Sequence, residues 1–216
     1  MFAEETRQQL SAAGVVPVVV VNDAASAVPL AQALLAGGVK IIELTLRTAA
    51  GLDAIKAIAS EVPEMLVGAG TVLSSDQVRE VKAAGASFAV APGTNRTILA
   101  AAQEVELPFA PGVMTPSDIE TALGMGCRML KFFPAESAGG VKHLKAMAAP
   151  YAHLGVTFMP TGGIKAAQLS DYLAVPTVAA VGGSWLATGA QIDAGEWDAI
   201  TAQASAAMEI VNAARG

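Results

Sequence analysis

Apolar and polar positions follow two rhythms along this chain. Short runs rich in Val, Ile, Leu, Ala and Phe, with no polar alternation, begin near Val15, Lys40, Met65, Phe88, Phe109, Arg128, Thr157 and Val178. Runs of this kind read as strands covered on both faces, the mark of a parallel sheet. Between them lie segments with helical spacing, several opened by capping signals: Asp23 ahead of Ala24 to Ala36, Ser74 with Gln77 three residues on, and Thr115-Pro116 before Ser117 to Leu123. Gly37-Gly38 and Gly85 stand where helices commonly stop. Strand and helix therefore alternate eight times. The pattern predicts one α/β domain over 1–216, a (β/α)8 TIM barrel, with an open doubly wound sheet as the alternative. Ala3 to Ala12 is expected to form an extra N-terminal helix covering the barrel's lower end. Glu196 to Ala214 is spaced as an amphipathic helix that would close the outer ring.

Composition narrows the setting. Hydrophobic residues make up 53% of the chain and charged residues 15%, against a typical charged share of about 25%. Eight solvent-facing helices would want more charge, so part of the outer surface is expected to lie against a partner subunit. A net charge of -6, with 13 scattered Lys and Arg, argues against nucleic acid. Cys127, the only cysteine, allows no disulfide within the chain; it suits a reducing, cytoplasmic compartment and reads as a buried structural thiol. Glu4 and Glu5 precede the first apolar run, which does not resemble a signal peptide. Tyr172 to Ile192 lacks charge, yet Pro176, Gly182, Gly183, Ser184 and Gly189 interrupt it, so no membrane helix is expected.

The candidate chemistry starts from Lys131, set among Met129, Leu130, Phe132 and Phe133 with no acidic residue within four positions. An ammonium removed from water is costly, so burial favours the neutral amine, which is a nucleophile. The structural alternative is a lysine that snorkels outward. On the second strand, period-2 geometry puts Glu43, Thr45 and Arg47 on one side, either as a buried Glu43–Arg47 ion pair or as working groups. Strand ends at Gly68-Ala69-Gly70-Thr71, Ala91-Pro92-Gly93 and Ala110-Pro111-Gly112 leave space. Glycines at Gly162-Gly163 and Gly182-Gly183-Ser184 follow the seventh and eighth strands, where many barrels bind a substrate phosphate; plain turn glycines are the alternative. His143 and His153 are not spaced as metal ligands, and no metal or organic cofactor is expected. A nucleophilic lysine, a carboxylate, an arginine and a phosphate cradle together suggest imine chemistry on a phosphorylated keto acid.

At these residues the chain resembles a known family. Glu43 to Thr48, Gly68 to Val72, Ala91-Pro92-Gly93, Lys131 to Glu136, Pro160 to Gly163 and Gly182-Gly183-Ser184 together resemble the class I 2-keto-3-deoxy-6-phosphogluconate (KDPG) and 4-hydroxy-2-oxoglutarate aldolases. The resemblance implies Lys131 as the Schiff-base residue and Glu43 as the general acid/base. It implies that Arg47 and Thr71 hold the pyruvate carboxylate, that Pro92, Phe133 and Thr161 wall the pocket, and that Gly162, Gly163, Gly183 and Ser184 take the phosphate. It also implies a homotrimer. Two rivals stand beside it: a phosphosugar isomerase or epimerase using Glu43 as base, and a barrel that binds a phosphorylated metabolite without turning it over.

Overall fold

The computed structural model describes Phe2 and residues 4–215. Its strands are β1 (Val15–Val19), β2 (Ile41–Thr45), β3 (Leu66–Gly70), β4 (Phe88–Val90), β5 (Phe109–Ala110), β6 (Gly112–Val113), β7 (Met129–Phe132), β8 (Thr157–Phe158) and β9 (Val181–Gly183). Each pairs in parallel with its neighbours, in a six-stranded sheet ordered β5-β4-β3-β2-β1-β9 and a three-stranded sheet ordered β6-β7-β8. The two sheets meet on both sides. The Lys131 N–H donates to the Pro111 carbonyl at 2.8 Å, and isolated bridges join Phe158 to Val178 and Thr161 to Gly182.

The helices are α1 (Glu4–Ala13), α2 (Ala27–Ala36), α3 (Gly51–Glu61), α4 (Ser75–Ala83), α5 (Arg96–Glu104), α6 (Pro116–Gly124), α7 (Gly140–Ala148), α8 (Leu169–Leu173), α9 (Gly189–Ala194) and α10 (Trp197–Arg215). The signals at Ser74 and Thr115 act as expected: Ser74 accepts from the Gln77 N–H, and Thr115 and Asp118 form a reciprocal capping box. Helix α1 occupies the segment expected from Ala3 to Ala12, of which Ala3 lies outside the described residues. The Phe2 ring sits 6.1 Å from that of Phe88. In α10, Ile200, Ala204, Ala207 and Val211 form one apolar face, Thr201 donates to the Ala33 carbonyl at 2.9 Å, and the Arg215 guanidinium donates to the Ala179 carbonyl.

Three boundaries differ from expectation, each for a backbone reason. The fifth run is split at Pro111, which has no N–H for the ladder. Its first half pairs with β4 and its second with β7. The last strand starts at Val181, because the Val178 N–H turns back to the Val175 carbonyl. The helix expected over Ala24 to Ala36 begins as a 3-10 turn, Ala24–Ser26, capped by Asp23, before α2 takes over. Pro29 cannot supply the hydrogen bond that would have joined the two as one α-helix.

Glu106 closes α5 in a left-handed conformation, φ 52°, with the Leu107 N–H returning to the Ala102 carbonyl. A side chain there costs about 1–2 kcal/mol, part of which glycine's extra freedom in the unfolded chain cancels. Glu106→Gly is expected to raise stability by about 0.5–1 kcal/mol, read as a melting temperature about 1–4 °C higher.

Candidate active site

Lys131 and Glu43, 88 residues apart, meet inside the molecule. The Lys131 amine donates to Glu43 Oε1 at 2.8 Å and Oε2 at 3.2 Å. Both are enclosed: Glu43 is 0% exposed and Lys131 5%. Glu43 on β2 and Lys131 on β7 are the two charged residues among the described buried ones, where Thr45 and Thr161 are the other polar groups. Small neighbours make the room. In strand register Glu43 lies beside Gly68 and Lys131 beside Gly112. Gly70 matters most, because a methyl group there would stand 2.2 Å from Glu43 Oε1 and 2.9 Å from Cδ.

This contact decides between the alternatives at both residues. Lys131 does not snorkel outward; its amine is enclosed, with a carboxylate partner on another strand. Nor does Glu43 pair with Arg47, which lies beyond the end of β2 with an exposed side chain. A buried carboxylate and a buried amine satisfy each other far better than either would satisfy a group at the rim.

A cleft of about 320 Å³ opens at the C-terminal ends of the strands; Lys131 and Glu43 do not line it, and Phe133, which does, lies between it and the amine. Arg47, Phe133, Thr161, Gly162, Gly163 and Ser184 line it. Phe133 follows Lys131 by two residues on the same side of the chain, roughly 7 Å further up, and its ring centre lies 5.8 Å from the amine. The Phe133-Pro134 peptide is cis. Pro92 lies in an adjoining depression that shares Phe133. Gly162 and Gly163 hold φ 106° and 79°, so both need glycine.

Two expected residues take other positions. Gly183 is not on the cleft wall; Gly182 is, while Gly183 caps the 3-10 turn Ser184–Leu186, with the Trp185 indole in the space a side chain would take. Thr71, just past β3, is partly buried and holds φ 59°. A β-branched residue there stores about 1–3 kcal/mol of strain, the kind of distortion that gathers at working sites. Thr45 turns its hydroxyl away to the Val19 carbonyl, 3.1 Å distant.

The cleft also has walls that strand-end reasoning did not single out. Val18, Val20 and Ile164 make an apolar side, while Thr188 and Gly189 bring the start of α9 to the rim. A Val-Val-Val run at β1 could have signalled the first of these by alternation. The placement of α9 carried no such signal, because its register depends on contacts such as Asn22 donating to Asp193 at 2.9 Å.

Beneath the Gly162-Gly163 turn lies a second polar cluster. Glu136 accepts from the Tyr172 hydroxyl and from Gln168 Nε2, each at 2.5 Å. Tyr172 is fully buried, and burial, then the hydrogen bond to Glu136 and its charge, push its ionisation well above the ordinary phenol range. A folded-state value above the unfolded one means a stabilisation fully present below about pH 10 and lost as pH rises through the folded value. Wild-type stability is therefore expected to decline above pH 10. In Tyr172→Phe, urea unfolding should show a lower plateau at neutral pH and a shallower alkaline decline.

Burial also raises the ionisation of the Cys127 thiol, in keeping with a structural cysteine. Among the described residues, no three His, Cys, Asp or Glu side chains converge as metal ligands, and no helix is long and apolar enough to cross a membrane. His143 stacks on Phe132 with its Nε2 3.3 Å from the Met114 carbonyl.

Known proteins resemble this chain over most of their length. The family model for KDPG and KHG aldolase matches residues 6–203. The chain is 50% identical over 200 residues to the KHG/KDPG aldolase of Escherichia coli K12, covering 93% of each chain. It superimposes with a TM-score of 0.88, at 42% identity, on the KDPG aldolase of Legionella pneumophila solved with pyruvate captured as a covalent carbinolamine; 93% of this chain and 97% of that one are covered. It matches the 2-keto-3-deoxy-6-phosphogluconate aldolase of Zymomonas mobilis ZM4, solved with 3-phosphoglycerate, at a TM-score of 0.86 and 40% identity, covering 94% and 93%. A buried lysine–carboxylate pair under a glycine-walled cleft, set in a sequence half identical to a curated aldolase over nearly its whole length, admits one assignment: this chain belongs to the KDPG and KHG aldolase family.

Proposed function

We propose that this protein is a Schiff-base-forming lyase that cleaves 2-keto-3-deoxy-6-phosphogluconate to pyruvate and glyceraldehyde 3-phosphate, and 4-hydroxy-2-oxoglutarate to pyruvate and glyoxylate. The observation that carries the reading is the 2.8 Å contact between Lys131 and Glu43, enclosed below the cleft. The amine can hand a proton directly to the carboxylate and attack the C2 ketone. Glu43 returns that proton to the oxygen of the adduct, giving the carbinolamine, then carries a second proton from the nitrogen to the same oxygen, which leaves as water as the nitrogen lone pair forms the protonated imine. Next, Glu43, directly or through a water, takes the C4 hydroxyl proton. The C3–C4 bond breaks, its electron pair passes into the imine, and the aldehyde departs. Protonation of the enamine at C3 and hydrolysis release pyruvate and free the lysine. The imine is the electron sink, so the steps need neither metal nor organic cofactor.

Arg47 supplies the cleft's positive charge and, with Thr71, would hold the pyruvate carboxylate. Pro92, Phe133 and Thr161 would wall the reacting carbons. Gly162, Gly163 and Ser184 would receive the phosphate, joined by Gly182, Thr188 and Gly189 and with Gly183 only capping the turn behind them. We read the two sheets as one closed eightfold barrel, β5 and β6 counting as one strand and α1 covering its lower end, and the chain as a single cytoplasmic domain. Three subunits would cover the exposed Leu73, Met114 and Leu154. Light scattering on a sizing column should give about three times the 21.7 kDa chain mass; a monomer would remove the trimer from this reading.

Borohydride reduction in the presence of pyruvate tests the chemistry. A single adduct on Lys131, located by peptide mass, is expected. Turnover of a sugar phosphate without any adduct would favour an isomerase using Glu43 as base, and phosphate-ester binding with neither would favour a binding barrel.

A further inference from the structure

Glu136 is a partly buried carboxylate that the proposed steps do not use, yet it sits where it can govern one end of the cleft. Its backbone N–H donates to the Gly162 carbonyl at 3.0 Å, and its Cβ and Cγ lie 3.0 and 3.4 Å from where a side chain on Gly163 would begin. The carboxylate is gripped by Tyr172 on α8 and by Gln168 in the 3-10 turn Ala166–Gln168. Gln168 in turn accepts from the Lys165 N–H at 2.9 Å. The chain from Thr161 to Gln168 is thus drawn into a closed ring around one side chain. In that ring Gly162 and Gly163 have left-handed backbones, which present successive N–H groups to the cleft only while their dihedrals are held.

We infer that Glu136 is a positioning residue for the anion end of the cleft, and that through Gln168 and Tyr172 it sets the preference for phosphorylated over unphosphorylated keto acids. The inference rests on the reading of this cleft as the site of a phosphorylated keto acid. Lys131 and Glu43 lie outside the ring, so loosening it moves the phosphate cradle and leaves the reacting groups in place. A backbone cradle displaced by a fraction of an ångström loses binding steeply.

The test uses the full-length enzyme with two substrates. In Glu136→Gln the new amide turns an NH2 toward either Gln168 or Tyr172, so one of the two bonds is lost or reversed and both lose the carboxylate's charge. In Gln168→Glu two carboxylates face each other. Each variant should lower kcat/KM for 2-keto-3-deoxy-6-phosphogluconate about 10-fold or more, mainly through KM, and change kcat/KM for 4-hydroxy-2-oxoglutarate less than about 3-fold. The double variant Glu136→Gln/Gln168→Glu exchanges donor and acceptor across the same contact. The amide introduced at position 136 can donate to the carboxylate introduced at position 168 and accept from Tyr172, while that carboxylate still accepts from the Lys165 N–H. The double variant should recover most of the lost selectivity. Titration with inorganic phosphate, followed by 31P line broadening, should show weakened binding in the single variants and recovery in the double one.

Equal losses on both substrates would overturn the inference, as would unchanged selectivity in the single variants or a double variant no better than either. A wild type that cleaves neither substrate would refute the proposed function. The phosphate titration would then still decide the role of Glu136: loss in the single variants with recovery in the double one upholds it, and any other pattern rejects it.

Discussion

Replacing Lys131 with Met is expected to abolish cleavage, lowering kcat by at least about 10⁴-fold, and to remove the pyruvate adduct formed under borohydride. Methionine keeps the length and apolar stem of lysine, so the interior stays filled. What changes is the company of Glu43. Its carboxylate loses the donor at 2.8 Å in a fully enclosed position, and stranding a buried charge costs about 3–5 kcal/mol. Lys131→Met should therefore fold, with a lower unfolding midpoint than wild type. Adding Glu43→Gln removes the stranded charge and should recover stability without recovering activity. Catalysis above one hundredth of wild type in Lys131→Met would dismiss the lysine as the nucleophile.

The second large effect comes from a residue with no chemistry. Gly70→Ala places a methyl group 2.2 Å from Glu43 Oε1 and 2.9 Å from Cδ and Cγ. The carboxylate must swing away from the amine or the strand must shift. A displacement near 1 Å at a reacting group costs about 10²-fold in rate, and overpacking adds about 1–3 kcal/mol of instability. Gly70→Ala should still reach the imine once equilibrated with pyruvate, because Lys131 is untouched, but every proton transfer through Glu43, those of imine formation included, becomes slow. Borohydride trapping at saturating pyruvate would then be near wild type, while exchange of the pyruvate C3 protons for deuterium falls about 100-fold. Equal loss of both would mean that Gly70 supports the site as a whole rather than Glu43.

Much of this architecture is legible in the sequence because local signals and long-range packing agree. Apolar runs such as Val15 to Val19 cannot satisfy themselves except as strands covered on both sides, and Ser74 and Thr115 announce helix starts by their own side chains. Lys131 stands out for the opposite reason, as a charge where its neighbours forbid one. Glu43 stands out as well, on one side of its strand with Thr45 and Arg47, but the contact between the two does not. The meeting with Glu43 depends on how two distant strands curl toward each other, and no periodicity within either strand records that. The same limit applies to Gly182 and Gly183: both are legible as strand-end glycines, but which one lines the cleft follows from the register of β9 against β1. The start of α9 reaches the rim through the Asn22–Asp193 contact, which no local pattern announces.

The distribution of side chains around the cleft decides where its selectivity can be redesigned. One flank is bare main chain at Gly162, Gly163 and Gly182; a methyl group on Gly182 would strike the Thr161 hydroxyl at 2.2 Å, and the other two hold dihedrals that other residues resist. That flank is closed to mutational drift. The same cleft is also lined by Val18, Val20 and Ile164, ordinary aliphatic side chains. A library randomised at those three codons explores acceptor aldehydes of new shape while the reacting pair stays untouched.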